Sequence, residues 1–562
     1  MRRGQAVFVS LLVAFLISVP WLGLKEFYSR GEAREALVAQ SMLRDGKWLV
    51  GEGYGGAVPS KPPFTHWLAA AASAVPGEVS EFTARLPSAL FFCLFAGYFA
   101  WFVGARRSPQ EGLLAAVLLS TCIEWGRAGV TARVDLILAA LIASGLFLFL
   151  DWQRQGLKAV PVLAILCFSA AVLTKGPVAL LLPAAICGLF LLMEGTAFFK
   201  AVWACTRLFL PTLIVAGIWY GAAWLEGGDA FRDKFWEENI ARFSGTMEEE
   251  AHVHSPFYLY ATLALGLFPW LLALIPAWIA GCRKGLSAGL WAKWQGLDSF
   301  GRFCWLVLLI FLVFFSIPAS KRSVYLLPAY PFAASLMAAQ ILRFAGRGDL
   351  PGQRILFCFA AGLSALLALI VTGLCLLLKA GFLVASSAYV EGASSAFYWN
   401  ELLVFCNSRS VGVLACFALG LLSLLAVRKT RECGRLVEWS AGLLCALMLV
   451  LNASLLPHFA NAVSVKPFAL LHARDIPGGA SLFSYGNEFY GLSFYLGRRI
   501  DRYNQTMRSG DFVFLYQNNL ERLGKELPAG YELRVIRVSE RGVEHPKRKL
   551  AMAELRLAAQ TP

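Results

Sequence analysis

Residues 25–67 read KEFYSRGEAREALVAQSMLRDGKWLVGEGYGGAVPSKPPFTHW, and they are the only long polar stretch near the N-terminus. The sequence on either side is built for lipid, so about forty residues rich in charge, glycine and proline stand out as water-facing. Glu32, Arg34 and Glu35 open a helical run in which Ala36, Val38, Ala39, Met42 and Leu43 keep a helical period. Amphipathic helices of this type lie along a membrane surface. Asp45-Gly46 stops the run, and Pro59-Ser60-Lys61-Pro62-Pro63 fixes an extended turn, because proline disfavours helix in the residue before it. Two readings follow. Either this is a surface loop with an interfacial helix, or it holds Glu32 and Lys61 at the membrane surface for chemistry.

The composition supports a membrane setting. Of 562 residues, 58% are hydrophobic and only 15% charged, against roughly 25% charged in soluble domains; the mean hydropathy is +0.60. A net charge of +15 would suggest nucleic acid in a soluble chain, but here the question is which loops hold the lysines and arginines. The first apolar run to Leu24 has the basic start of a signal peptide without its small-residue cleavage site. Thirteen cysteines lie in or near apolar segments with no CxxC pair, so they read as packing residues rather than disulfide or zinc ligands.

Apolar runs near 5–24, 85–105, 110–128, 132–151, 159–175, 177–193, 208–225, 256–280, 302–318, 323–342, 354–378, 407–427 and 436–456 predict a polytopic α-helical protein, with about thirteen transmembrane helices. With the N-terminus cytoplasmic, every cytoplasmic loop carries basic residues, from Arg106-Arg107 through Arg154, Lys158, Lys200 and Arg207 to Arg428-Lys429. Loops 25–84, 226–255 and 379–406 then fall outside, with the tail. This divides the chain into a membrane domain, 1–456, and an extracytoplasmic α/β domain, 457–562. In the latter, 481–485, 511–516 and 533–538 read as strands and 518–527 as a helix.

Polar residues at the outer helix ends are the candidates for chemistry. Asp135, in TARVD, is either functional or paired with Arg133 or Arg127. Lys175, in LTKGP, either snorkels or neutralises a buried carboxylate. Glu249, His252 and His254 are compatible with a divalent cation or with a solvated face. Lys321, before Tyr325 in SKRSVY, breaks the positive-inside pattern and suits a phosphate-facing role. One face thus gathers carboxylates (Glu32, Asp135) and cations (Lys61, Arg242, Lys321), with Arg34 beside them. Such a mixture suits transfer from an anionic lipid, a carboxylate deprotonating the acceptor and the cations holding the departing phosphate. No Rossmann or Walker motif is present, and no cofactor is required. A transporter is the rival reading, but no matched pair of interrupted helices supports it; a non-catalytic lipid- or glycan-binding protein is another.

GEAREALVAQSMLRDGKWLV, SKPPFTHWL and EFTARLPSAL, then TARVD, LTKGP, FWEENIARF, HSPFYLY and SKRSVYLLPAYP in order, resemble the lipid A aminoarabinose transferases. They resemble, more distantly, the protein O-mannosyltransferases. The likeness covers most of residues 1–345. It implies a C-type (GT-C) glycosyltransferase of the inner membrane, with a periplasmic C-terminal domain, taking a sugar from a polyprenyl phosphate and giving it to a lipid, glycan or protein acceptor. By resemblance, Asp135 matches a family carboxylate, Lys61 and Arg242 match phosphate contacts, and Lys321 and Tyr325 lie in a matching active-site segment. Three positions depart from the family. Gly31 stands where it has aspartate, Ser60 where the aminoarabinose enzymes have glutamate, and Asn239 where they have histidine. The resemblance therefore carries the fold but not the aminoarabinose or the lipid A, and Glu32 is expected to take over the role vacated at Gly31, working with Asp135.

Overall fold

The computed structural model describes residues 1–241, 253–274, 296–347, 433–504 and 507–557, with scattered helical residues between 359 and 425. The expected spans 354–378 and 407–427 lie largely outside these residues, as does most of loop 379–406. Among the described residues, seven helices are long and apolar enough to cross a membrane, and Val162–Lys175, Val178–Met193 and Phe257–Gly266 are shorter apolar helices.

The helices run α1 (Arg3–Ser18), α2 (Arg30–Asp45), α3 (Phe64–Ala74), α4 (Glu81–Arg106), α5 (Pro109–Thr121), α6 (Ile123–Gly129), α7 (Val134–Arg154), α8 (Val162–Lys175), α9 (Val178–Met193) and α10 (Phe198–Trp236). They continue with α11 (Phe257–Gly266), α12 (Ser299–Ser316), α13 (Tyr330–Arg347), α14 (Cys433–Val450) and α15 (Leu456–Ala462). α7 is apolar on every side, the pattern of a helix enclosed by others, and most of its residues are buried. Phe147 on α7 stacks on Phe102 of α4 at 4.1 Å and on Phe99 at 5.7 Å. α5 lies so close to α4 that a side chain at Gly112 would meet the Ala100 carbonyl at 2.3 Å.

Two expected spans take a different form. The run 110–128 is two helices, because Cys122 is extended (ψ 138°) and the Ile123 amide leaves the helix to donate to the Phe268 carbonyl at 3.4 Å. The run 208–225 is the middle of the 39-residue α10. That helix turns at Gly228 (φ 56°, ψ −142°) and reaches Trp236, so the first part of the expected loop 226–255 is helical.

One end of the bundle is closed by ion pairs between helix ends, Arg106–Asp151 and Arg107–Asp298 at 2.6 Å and Arg302–Glu194 at 2.8 Å. The other end carries α2, α3 and the C-terminal domain. There a five-stranded sheet has the order β2-β1-β3-β5-β4, from β1 (Leu482–Ser484), β2 (Asp501–Arg502), β3 (Phe512–Tyr516), β4 (Tyr531–Gly542) and β5 (Lys549–Leu557). β3, FVFLY, is buried throughout. Phe512, Phe514 and Tyr516 enter one apolar cluster and Val513 and Leu515 another, as a central strand covered on both faces requires.

α2 does not lie on lipid, as its amphipathic pattern predicts. It is roofed by the helix Tyr490–Leu496, whose Phe494 joins Phe27, Ala33, Ala36 and Met42 in one cluster. The Tyr495 hydroxyl accepts from the Phe27 amide at 2.8 Å and donates to Glu81 at 2.9 Å, and Lys466 pairs with Glu81 at 2.7 Å. Asn461 accepts from the Glu26 amide at 2.8 Å, and Arg30 reaches Glu544 at 3.0 Å.

Tyr495→Phe strips partners from the Phe27 amide and from Glu81. It is expected to cost about 1–3 kcal/mol, the penalty of unsatisfied part-buried groups. The measurement is the melting temperature of the detergent-solubilised protein; an unchanged value would mean that apolar contact alone docks the domain.

Candidate active site

The polar end of the bundle holds three linked groups of charges. The first is centred on Glu32, in the first turn of α2. Arg85, fully buried at the start of α4, donates from Nε to Glu32 Oε1 at 2.7 Å and from Nη2 to Oε2 at 3.1 Å. The Ala132 amide donates to Oε1 at 3.0 Å, and Lys25 lies 3.9 Å from Oε2. Arg85 also donates to the Leu22 carbonyl at 2.7 Å and to that of Lys25. Burial opposes ionisation of Glu32, but Arg85 and Lys25 outweigh it and pull the carboxyl down to about 2. Burial likewise pulls the Lys25 ammonium down to about 8, against the pull of Glu32. The expected Glu32 base thus meets a geometry of another kind. Both oxygens are engaged, and a carboxyl this acidic is a poor proton acceptor at neutral pH.

The second group is Asp135, buried in the first turn of α7. Lys175 Nζ stands 2.6 Å from Oδ1, and Arg133 Nε 3.5 Å from Oδ2. Lys175 ends α8, where Gly176 (φ 98°) turns the chain; a side chain there would strike Asn239 at 2.7 Å. Of the two readings of Lys175, the structure takes the one in which it neutralises a buried carboxylate, and its ammonium also lies 5.3 Å from the Tyr325 ring centre. Arg133 spans the first two groups, for a Cβ on Gly31 would meet its Nη1 at 2.7 Å. The position lacking the expected aspartate is filled by a guanidinium.

The third group lies across the turn 59–63. Lys61 Nζ stands 2.7 Å from Glu238 Oε2 and 3.0 Å from the Ser60 carbonyl. A shallow pocket beside it is lined by Pro59, Lys61, Trp219, Tyr220, Glu238 and Asn239. On α2, Arg34 donates to Glu35 Oε1 at 2.6 and 3.1 Å, while Glu35 Oε2 meets His66 Nε2 at 2.7 Å. Burial opposes ionisation of Glu35, yet Arg34 and His66 hold it well below the usual carboxylate range.

Lys321 departs from the phosphate-facing role expected of it. It is buried, and its ammonium donates to the carbonyls of His254, at 3.2 Å, and Pro318. The segment ahead of α13 is also held by Ser323, which donates to Glu124 at 2.8 Å. His254 stacks on Tyr258 at 4.0 Å. Arg242, Glu249 and His252 lie outside the described residues, among which no three His, Cys, Asp or Glu side chains are grouped to hold a metal.

Sequence reasoning passed over Arg85, Glu35, His66 and Glu238. All four sit inside quoted motifs, but Arg85, His66 and Glu238 meet partners 31 to 177 residues away. Glu35, three residues after Glu32, was the readable one, since that spacing puts two carboxylates on one helix face.

Three comparisons bear on this geometry. The profile of the family described as dolichyl-phosphate-mannose-protein mannosyltransferase matches residues 60–220. An undecaprenyl phosphate-alpha-4-amino-4-deoxy-L-arabinose arabinosyl transferase of Pectobacterium carotovorum is 28% identical over 353 residues, 61% of this chain and 60% of the relative. One of Shewanella sediminis is equally similar over the same shares. The chain thus aligns with about 60% of the length of these relatives. The crystal structure of ArnT from Cupriavidus metallidurans bound to undecaprenyl phosphate superposes with a TM-score of 0.69 at 17% identity, covering 98% of this chain and 97% of that one. The chain resembles the GT-C glycosyltransferases in sequence and shares the ArnT fold.

Arg85→Met leaves the Glu32 charge buried with only Lys25 and one amide, and is expected to cost about 3–5 kcal/mol, read as a lower melting temperature. The pH dependence has a definite sign. Glu32 has a folded value of about 2 against an ordinary 4.5, so between these values the unfolded chain binds the extra proton. The stabilisation is complete above pH 4.5 and is lost as pH falls towards 2. Glu32→Gln should flatten the stability curve in that window; an unchanged curve would refute the assignment.

Proposed function

We propose that this chain is an integral membrane glycosyltransferase. It moves a sugar from a polyprenyl-phosphate donor to a lipid, glycan or protein acceptor on the extracytoplasmic face of the inner membrane. One observation carries the reading. The polar end of an ArnT-like fold holds a buried carboxylate, Asp135, clamped by Lys175 and Arg133, close to a cation–carboxylate pair, Lys61–Glu238. The named activities of the curated relatives support it.

In the reaction an acceptor oxygen or nitrogen attacks the anomeric carbon, the bond from that carbon to the phosphate oxygen breaks, and the phosphate leaves with both electrons. Asp135 takes the acceptor's proton at Oδ2, a contribution of about 10²–10⁴-fold. Unlike either oxygen of Glu32, Oδ2 accepts no hydrogen bond among the described residues and has only the 3.5 Å contact with Arg133 Nε. Lys175 and Arg133 keep Asp135 anionic and oriented. Lys61 and Arg242 meet the charge that grows on the departing phosphate. Glu238 holds Lys61 in place until the donor arrives. Glu32 is a positioning group here rather than the base. With Arg85 it fixes α2 against the Ala132 amide, three residues from Asp135.

The test is transfer by purified protein from a polyprenyl-phosphate sugar. Asp135→Asn should lose at least ~10²-fold in turnover, and Lys61→Ala should raise the donor KM while insertion stays normal. Near-normal turnover of Asp135→Asn would remove it from the centre. Placement is tested separately. Ser60→Cys and Ser481→Cys should react with an impermeant thiol reagent only from the extracytoplasmic side, and labelling only from the cytoplasm would reverse the orientation.

A further inference from the structure

One polar chain is not used by the reaction just described. Arg34, Glu35 and His66 form a relay running from the interior to the polar face. At its inner end His66 is buried, with 1% of its surface exposed, and its Nδ1 has no hydrogen-bond partner. In the middle, both oxygens of the buried Glu35 are spent, Oε1 on Arg34 and Oε2 on His66. Because that carboxylate can only accept, His66 Nε2 carries the proton and donates it. At the outer end the Arg34 side chain is 31% exposed. Two of its donor groups, Nε and one Nη2 hydrogen, go to Glu35, leaving the Nη1 pair and the second Nη2 hydrogen without a protein acceptor among the described residues.

In the Arg34–Glu35 pair the carboxylate is buried while the guanidinium keeps part of its surface open. Arg34 also lies in the field of Glu238, the carboxylate that Lys61 grips at 2.7 Å. Tyr490, from the C-terminal domain, packs against the apolar cluster that α2 contributes to. A planar guanidinium fixed along one edge offers its other edge as a fork, the geometry that suits phosphate oxygens.

We propose that Arg34 is a contact for the donor's phosphate, opposite Lys61, and that Glu35 and His66 are positioning residues that hold its guanidinium in that orientation. The proposal rests on the glycosyltransferase reading and adds a site element to it. Glu35 fixes the edge, and His66 fixes Glu35. Without the His66 donor, Glu35 would be free to turn and Arg34 would lose its aim.

The experiment measures equilibrium binding of undecaprenyl phosphate, with no sugar attached, to the full chain in lipid nanodiscs. Arg34→Gln should weaken binding on the order of tenfold, equivalent to ~1.4 kcal/mol. His66→Phe, which keeps a ring but loses the donor, should weaken it similarly. His66→Gln, whose amide can donate where Nε2 does, should restore most of it. Melting temperatures separate positioning from mere stability: if His66→Phe and His66→Gln melt alike yet bind differently, the relay acts on the ligand. Wild-type binding with either Arg34→Gln or His66→Phe unimpaired overturns this inference and leaves the glycosyltransferase reading standing. A wild-type chain that binds no undecaprenyl phosphate overturns both.

Discussion

The buried pair of Glu32 and Arg85 is the contact on which the rest of the polar end depends. It joins three elements that are far apart in the chain: the start of α2, the start of α4 and the turn before α7. Arg85 also gathers the carbonyls that follow α1. Two charges removed from water are costly unless every donor and acceptor is met, and here nearly all are. The pair therefore tolerates little displacement. Where Glu32 sits, the Ala132 amide must sit, and Asp135 follows three residues later. A carboxylate that reads from sequence as chemistry becomes, once folded, the reason that another carboxylate is in place.

Much of the fold was legible because lipid imposes a simple code. Among the described residues, long apolar runs marked most of the apolar helices, and the basic residues Arg106 and Arg107 fall in the ion pairs at one end of the bundle. The sheet was legible too, because Phe512 to Tyr516 is a continuous apolar run between turns. What escaped were departures that depend on distant partners. The break at Cys122 is sealed by a carbonyl 145 residues away, and nothing within 110–128 announces it. α2 carries the pattern of a helix on lipid, but its apolar face is met by Phe494 and Tyr490. A one-sided apolar stripe records that a face must be covered and is silent on what covers it.

The candidate site shows the same division. Asp135, Lys61, Lys175 and Arg34 could be found because charge near a membrane helix end is unusual. Their roles depended on pairings that sequence does not contain. Lys321 looked like a phosphate ligand by position, yet its ammonium is taken by backbone carbonyls. Gly31 looked like a loss, yet it makes room for Arg133, which steadies Asp135 from the other side.

The roof over α2 has a consequence for how the protein comes into being. Asn461 lies 435 residues after Glu26, the amide it receives, and Tyr495 lies 468 after Phe27. At a ribosome's pace of about 5–20 residues per second, the polar loop leaves the translation machinery on the order of half a minute before its cover exists. During that interval Phe27, Ala33 and Met42 have no partner above them, and Glu81 has no lysine. The earliest part of the site to be made is among the last to mature, so a chain interrupted late in synthesis would hold most of the charged groups without the shape that aligns them.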